Sequence, residues 1–267
     1  MFNKRLFKIT IIILSFGFLT TVVNANNSWH GYHWARQANP FTLKLGDNVS
    51  SLWDSYLQTT ANDWSLSSVL NTVVVAGNTN AKTCKATNGR VEVCSSRYGN
   101  NGWLGVAQVW VSGLHITKSI VKVNDTYFNT PTYNTPAWRN LVMCQEVGHA
   151  LGLDHQDEIF NNPNLGTCMD YTSNPSTNQH PNEHDFDELL AIYAHLDSTN
   201  TISTSSTGSR GKGEENSKPD EAGDEPDLDD PTKWGKAIKK DSKGKNSVHI
   251  RDLGKDEKVF TFVIWVE

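Results

Sequence analysis

Apolar positions along the chain change their period several times, and each change marks an element. Residues 40–45 read as a short strand, and SSLWDSYLQTTANDWSL after them places Leu52, Trp53, Tyr56 and Trp64 at helical spacing as expected core contacts. The runs SVLNTVVVAG and RVEVCSS are β-branched and bounded by Gly and Asn, as strands tend to be. Two longer strand-like runs follow, WLGVAQVWVSG and LHITKSIVKVND, joined through Ser112 and Gly113. Together these predict a twisted sheet with a helix packed on it.

Thr135 and Pro136 open a second helix, since a Thr side chain caps free backbone N–H groups and Pro suits the first helical position. This helix runs AWRNLVMCQEVGHALG. Gly152 is its expected stop, because glycine takes the left-handed conformation that turns the chain sharply away. A last helix, NEHDFDELLAIYAHLD, closes the unit near Asp197. Beyond it the pattern vanishes: residues 198–231 are rich in Ser, Gly, Pro and acid, nearly free of large apolar side chains, and read as a disordered acidic linker. KAIKKD, SVHIRDL and KVFTFVIWV, spaced by the turn-like SKGKN and GKDE, then predict a small three-stranded antiparallel meander over residues 232–267. Such a sheet is marginal alone and is expected to pack on something.

An apolar fraction of 37% and a charged fraction of 20% are those of a soluble globular protein. The formal net charge of −5 gives no reason to expect nucleic acid or an acidic membrane surface as partner. Residues 1–25 carry a basic start at Lys4, Arg5 and Lys8, an apolar run, and small residues from Val23 to Ala25. The apolar run is shorter than the ~20 residues a spanning helix needs, so a cleaved signal peptide is expected rather than a membrane anchor. The main domain is then residues 26–197 of a protein that is secreted, or periplasmic in a bacterium, with no membrane contact after signal removal. A monomer is expected.

The chemistry concentrates in CQEVGHALGLDH, Cys144 to His155. With His in place of Gln145 it would be H-E-x-x-H-x-x-G-x-x-H, a spacing that places three metal ligands and a general base around one ion. Residues four apart on a helix share a face, so Gln145 and His149 project together with Glu146 at their flank. A turn at Gly152 brings His155 back as a third donor and leaves a fourth position open, which a hydrolytic zinc site requires.

With the downstream Cys168-Met169-Asp170-Tyr171 and the strands of GVAQVWVSGLHITKSIVKVN, this run resembles the metzincin clan of secreted zinc endopeptidases, most like matrixin and astacin type enzymes of bacteria, over residues 40–197. The resemblance implies an α+β fold: a twisted mixed sheet with packed helices, an active-site helix, a Met-turn and a C-terminal helix, here with the small all-β meander added. It implies that His149 and His155 bind zinc, that Glu146 activates a water, and that Met169 floors the site. Tyr171, two residues after that Met, takes the place of a tyrosine that ligates zinc or stabilises the tetrahedral intermediate; the other reading is a core tyrosine. The departure is Gln145, whose neutral amide oxygen is a poorer partner for zinc than imidazole.

Four cysteines in an oxidising compartment suggest two disulfides in one of three pairings. Cys84 and Cys94 flank a short polar loop, and Cys144 and Cys168 lie beside segments that the motif brings together, which favours 84 with 94 and 144 with 168. Thiolate binding of metal by Cys144 and Cys168 is the alternative. His180 and His184 are reserve ligands for the position that Gln145 weakens. His30, His33, His115, His195 and His249 show no ligand spacing and are expected on the surface or in packing.

The expected function is zinc-dependent hydrolysis of peptide bonds in protein or peptide substrates, with Zn2+ as cofactor and catalysis by Glu146 and Tyr171. The alternative is a non-catalytic peptide-binding module on the same scaffold, with a weakened zinc site or none. A purely structural secreted protein held by disulfides is a third class.

Overall fold

A computed structural model describes residues 27–203 and 230–267. The expected signal peptide and residues 204–229 of the expected linker lie outside the described residues. Strands are β1 (His33–Trp34), β2 (Phe41–Asn48), β3 (Leu70–Ala76), β4 (Val91–Ser96), β5 (Trp103–Ser112), β6 (His115–Asn124), β7 (Lys236–Lys240), β8 (Asn246–Gly254) and β9 (Glu257–Trp265). Helices are α1 (Asp54–Trp64), α2 (Asp125–Phe128), α3 (Pro136–Ala150) and α4 (Glu183–Ile192).

The strands form one mixed sheet in the order β3-β2-β4-β6-β5-β9-β8-β7, with β1 paired to β6 off that path. Pairings from β3 to β6 are parallel and those from β6 to β7 antiparallel. Parallel neighbours need long crossovers, and α1 supplies the one between β2 and β3. The residues expected as a small meander of their own, 232–267, are joined to the main sheet here: β9 pairs with β5 from Trp103↔Trp265 to Ser112↔Glu257. This explains a pattern that alternation rules miss. All of β5 except Ser112 is buried, because the strand has neighbours on both edges and packed side chains on both faces.

The expected helices form with local chemistry that accounts for their ends. Thr135 accepts a hydrogen bond from the Trp138 N–H and Pro136 holds the first position of α3. Gly152, with φ of +104°, ends that helix, and the Leu153 N–H turns back to the Gly148 carbonyl. A capping box of Asn182 and Asp185 starts α4. Leu57 and Trp64 of α1, and Trp53 at its N-cap, are buried in the core, but Leu52, expected there, is 63% exposed. It precedes the helix, which begins at Asp54, so helical spacing does not govern where its side chain goes.

Residues 198–203, placed in the linker by composition, still belong to the fold: Thr201 N–H donates to the Ala35 carbonyl and Ser203 N–H to that of Gly89. Both expected disulfides, Cys84–Cys94 and Cys144–Cys168, are present, and the second ties α3 to the segment that leads into Met169. Among the described residues no helix is long and apolar enough to cross a membrane.

Candidate metal centre

Helix α3 carries Gln145, Glu146 and His149 with none of their surface exposed, and the turn at Gly152 returns His155 to the same place. The two imidazoles meet Nε2 to Nε2 at 3.0 Å. Each ring is held from behind: His149 Nδ1 lies 2.8 Å from the Leu153 carbonyl oxygen, and His155 Nδ1 lies 2.8 Å from Glu158 Oε1. A carbonyl and a carboxylate only accept, so both Nδ1 atoms donate and both Nε2 lone pairs point into the same space. This outer-partner arrangement fixes imidazole ligands in metal sites. Burial, with His155 adding to it, pushes the His149 imidazole well below its ordinary range, which keeps its lone pair free.

Gln145 shares its helical face with His149, and its Nε2 donates to the Cys168 carbonyl at 2.9 Å. That leaves the amide oxygen buried without a partner, the one atom of this side chain that suits a cation. Both carboxylate oxygens of Glu146 are likewise buried without a hydrogen bond. Burial pushes this carboxyl well up, and the nearby Ala107 N–H offsets the effect only in part. The facing imidazole nitrogens are donors of the kind zinc takes, and the amide oxygen of Gln145 and the carboxylate of Glu146 on the same helix are left buried without partners by a purely protein-filled core.

Met169 is fully buried against α3. A Cβ added at Gly148 would lie 2.5 Å from the Met169 sulfur and 2.8 Å from the Trp64 ring, so glycine at this helical position is what lets the segment after Cys168 come under the site. Tyr171 lies on the far side of His155, ring centroids 4.4 Å apart. Its hydroxyl donates to the Val263 carbonyl of β9 at 2.8 Å, and burial, with Glu158 and Glu146 adding to it, pushes its pKa well up.

Strand β9 closes the site. The Phe262 ring stacks on His149 with centroids 4.2 Å apart and planes 11° from parallel. The rest of the C-terminal hairpin unit, β7 and β8 beside β9, reaches the third-donor loop, where Lys239 Nζ donates to Asp154 Oδ2 at 2.9 Å and Ser247 Oγ to Glu158 Oε2 at 2.8 Å. Glu158 is held down to about 2: its burial works against this, but the hydrogen bond from His155 and then the Lys239 ammonium outweigh it. Phe262 and Val263 are site neighbours that the sequence did not announce, because no local spacing connects them to His149 and Tyr171 some ninety or more positions away, whereas Glu158 lies only three residues after His155.

Among the reserve ligands, His180 turns to Asp63 at 2.7 Å and is 54% exposed in its side chain, away from the pair; His184 is half-buried at the start of α4. Cys144 and Cys168 are spent on each other, which removes the thiolate alternative. His33, His115 and His195, expected as separate surface or packing residues, come together around Asp197.

No family model and no curated protein matches the chain. Among solved structures it is similar to high choriolytic enzyme 1, a hatching enzyme zinc-protease from the medaka fish Oryzias latipes, with TM-score 0.35 and 10% identity over 62% of this chain and 96% of that one. It is also similar to myroilysin, with TM-score 0.35 and 12% identity over 65% of this chain and 97% of that one.

Proposed function

We propose that the chain is a secreted zinc-dependent endopeptidase held closed by its own C-terminal hairpin. The observation that carries this reading is the pair of inward-facing Nε2 atoms on His149 and His155, each locked by an acceptor on its Nδ1, beside the unpartnered Glu146 carboxylate. Zinc at such a site lowers the pKa of a water and polarises a peptide carbonyl. Gln145, through its amide oxygen, is the third and weakest donor.

Glu146 is the general base. Its raised pKa brings a carboxyl towards the range in which it both takes a proton from the attacking water and returns one to the leaving amine. Tyr171 offers its hydroxyl to a carbonyl oxygen, and in the closed form the Val263 carbonyl receives that hydrogen bond. Once β9 leaves, β5 presents a free edge along which an extended peptide can pair, with its carbonyl where Val263 now lies. Secretion accords with the two disulfides and with the expected signal segment.

A specific observation favours a second reading, the non-catalytic peptide-binding module. The metal donors and Glu146 are between 0% and 4% exposed under β9, so the site as folded admits no substrate. One experiment separates the two. Purified chain is nicked within residues 204–229, freed of the hairpin in mild denaturant, returned to buffer with zinc, and given unfolded casein beside a Glu146→Gln control. Turnover in the wild type alone supports the enzyme; zinc uptake with no cleavage by either protein supports the module.

A further inference from the structure

A second histidine cluster lies outside the proposed catalytic site. His33 comes from β1, His115 from the first position of β6, and His195 and Asp197 from the chain after α4. These residues are distant in sequence, and the parallel pairing of β1 with β6 sets His33 directly beside His115. Their ligand-type atoms converge. From Asp197 Oδ1 it is 3.3 Å to His33 Nε2, 3.2 Å to His115 Nε2 and 3.6 Å to His195 Nε2. His195 Nε2 is in turn 3.2 Å from His33 Nε2.

Each of these four separations has the length of a donor–donor edge in a tetrahedral zinc site; the ligand atoms of His33, His115 and Asp197 all lie within 4.8 Å of one another, and His195 adjoins them through His33 and Asp197. Bonds of about 2.0–2.1 Å at the tetrahedral angle put neighbouring donors about 3.3 Å apart. Hydrogen bonds alone account for the cluster poorly. His33 Nδ1 faces the Gly31 carbonyl at 2.7 Å and therefore donates to it. In a neutral ring that leaves a lone pair on Nε2, aimed at a carboxylate oxygen that also only accepts. Charging the ring instead would set a buried imidazolium, 3% exposed, beside the Arg36 guanidinium on the same carboxylate.

The outer partners are also in place. Asp197 Oδ2 accepts from Arg36 Nη1 at 2.9 Å and from the Arg36 N–H at 3.2 Å, which leaves Oδ1 to the histidines. Arg36 in turn spreads its charge over the carbonyls of Tyr193 and His195 and the amide oxygen of Asn39. A held carboxylate and, at His33, a held imidazole are features of sites built for a cation.

We propose that His33, His115, His195 and Asp197 bind a second zinc-class divalent ion, as a closed site of three imidazole nitrogens and one carboxylate oxygen. Four protein ligands leave no open position, so the ion is structural. It clamps β1 and the segment after α4 onto β6. Trp34, next to His33, donates from Nε1 to the Ala150 carbonyl at 2.8 Å, so the clamp also steadies the end of α3 that carries His149.

The test compares the metal content of the full chain with that of His115→Gln/His195→Gln. Both rings are partly exposed, at 36% and 55%, so the variant spares the core; circular dichroism checks that it folds. Each protein is stripped with chelator, reloaded with zinc, desalted and measured by plasma mass spectrometry, and then titrated with Co2+ while its visible absorption is followed. The expected result is one ion per chain fewer in the variant, with loss of one tetrahedral Co2+ absorption component. Because the readout is a difference, it holds whether or not the His149–His155 pair is filled. Equal metal content in the two folded proteins, including none in either, overturns the proposal.

Discussion

The two histidine clusters are built in opposite ways. His149 and His155 sit six residues apart and are brought together by one helix and one glycine turn, so their partnership is written in local spacing. His33, His115 and His195 span most of the fold and meet only because β1 lies parallel to β6 and the chain after α4 returns over both. The first cluster keeps an unpartnered acid beside it and is sealed by β9, through which the C-terminal strands β7 to β9 join the rest of the sheet along the single edge of β5. The second has no acid to spare, since its one carboxylate is shared between Arg36 and the histidines. A donor set with a spare base and a removable cover suits chemistry; a saturated donor set suits structure.

That contrast is broken most sharply at Glu146. In protein freed of its hairpin, Glu146→Gln is expected to lower turnover by about 10²–10⁴-fold, the usual share of a general base, while zinc content stays at the wild-type value. Peptide hydrolysis and metal analysis on the same sample check both. A variant that keeps more than a few per cent of activity would falsify the assignment of the base.

The cover comes next. Phe262 is fully buried on His149, and Phe262→Ala is expected to cost about 3–5 kcal/mol of stability as a large-to-small core change. Urea unfolding measures the loss. If β9 is the cover, the variant should also show faster hydrogen exchange along β5 and β9 than along β2 and β3; uniform exchange across the sheet would mean that β9 is no more removable than the rest.

Gly148→Ala probes the floor. Its Cβ would fall 2.5 Å from the Met169 sulfur, an overpacking expected to cost about 1–3 kcal/mol. Gly148→Ala/Met169→Ala should recover part of that loss if the clash is with Met169, and a double-mutant cycle by thermal unfolding reads the coupling.

The smallest and most discriminating change is Gln145→His. Losing the amide N–H to the Cys168 carbonyl is expected to cost the metal-free protein about 1 kcal/mol, while an imidazole on the same face raises zinc affinity severalfold. Competitive chelation beside the wild type measures the second effect. Unchanged affinity would show that position 145 does not face the ion.

Much of the fold was legible in the residues because its causes are local. Thr135, Pro136 and Gly152 bound α3 by capping and backbone conformation, and the β-branched runs became β3 to β6 and β9 within a residue or two. The two-residue β1 was not legible, since its pairing to β6 supplies the reason for its form. Leu52 was misplaced because it lies before the first turn of α1, where helical periodicity has not begun.

At the site, the sequence by itself determined which groups are available: His149, Glu146 and Gln145 on one helix, His155 after one turn, and Met169 and Tyr171 behind a cysteine able to bond Cys144. Helical period and covalent chemistry act over a few residues or through a single bond, so a string of letters carries them. The tertiary structure alone decided that β9 would pair with β5 and lay Phe262 over His149, and that His33, His115 and His195 would meet at Asp197 from three distant segments. Those outcomes depend on which edge stays free once the sheet is assembled and on how far a returning segment reaches. Both are properties of the whole packed chain, with no counterpart in the spacing of its residues.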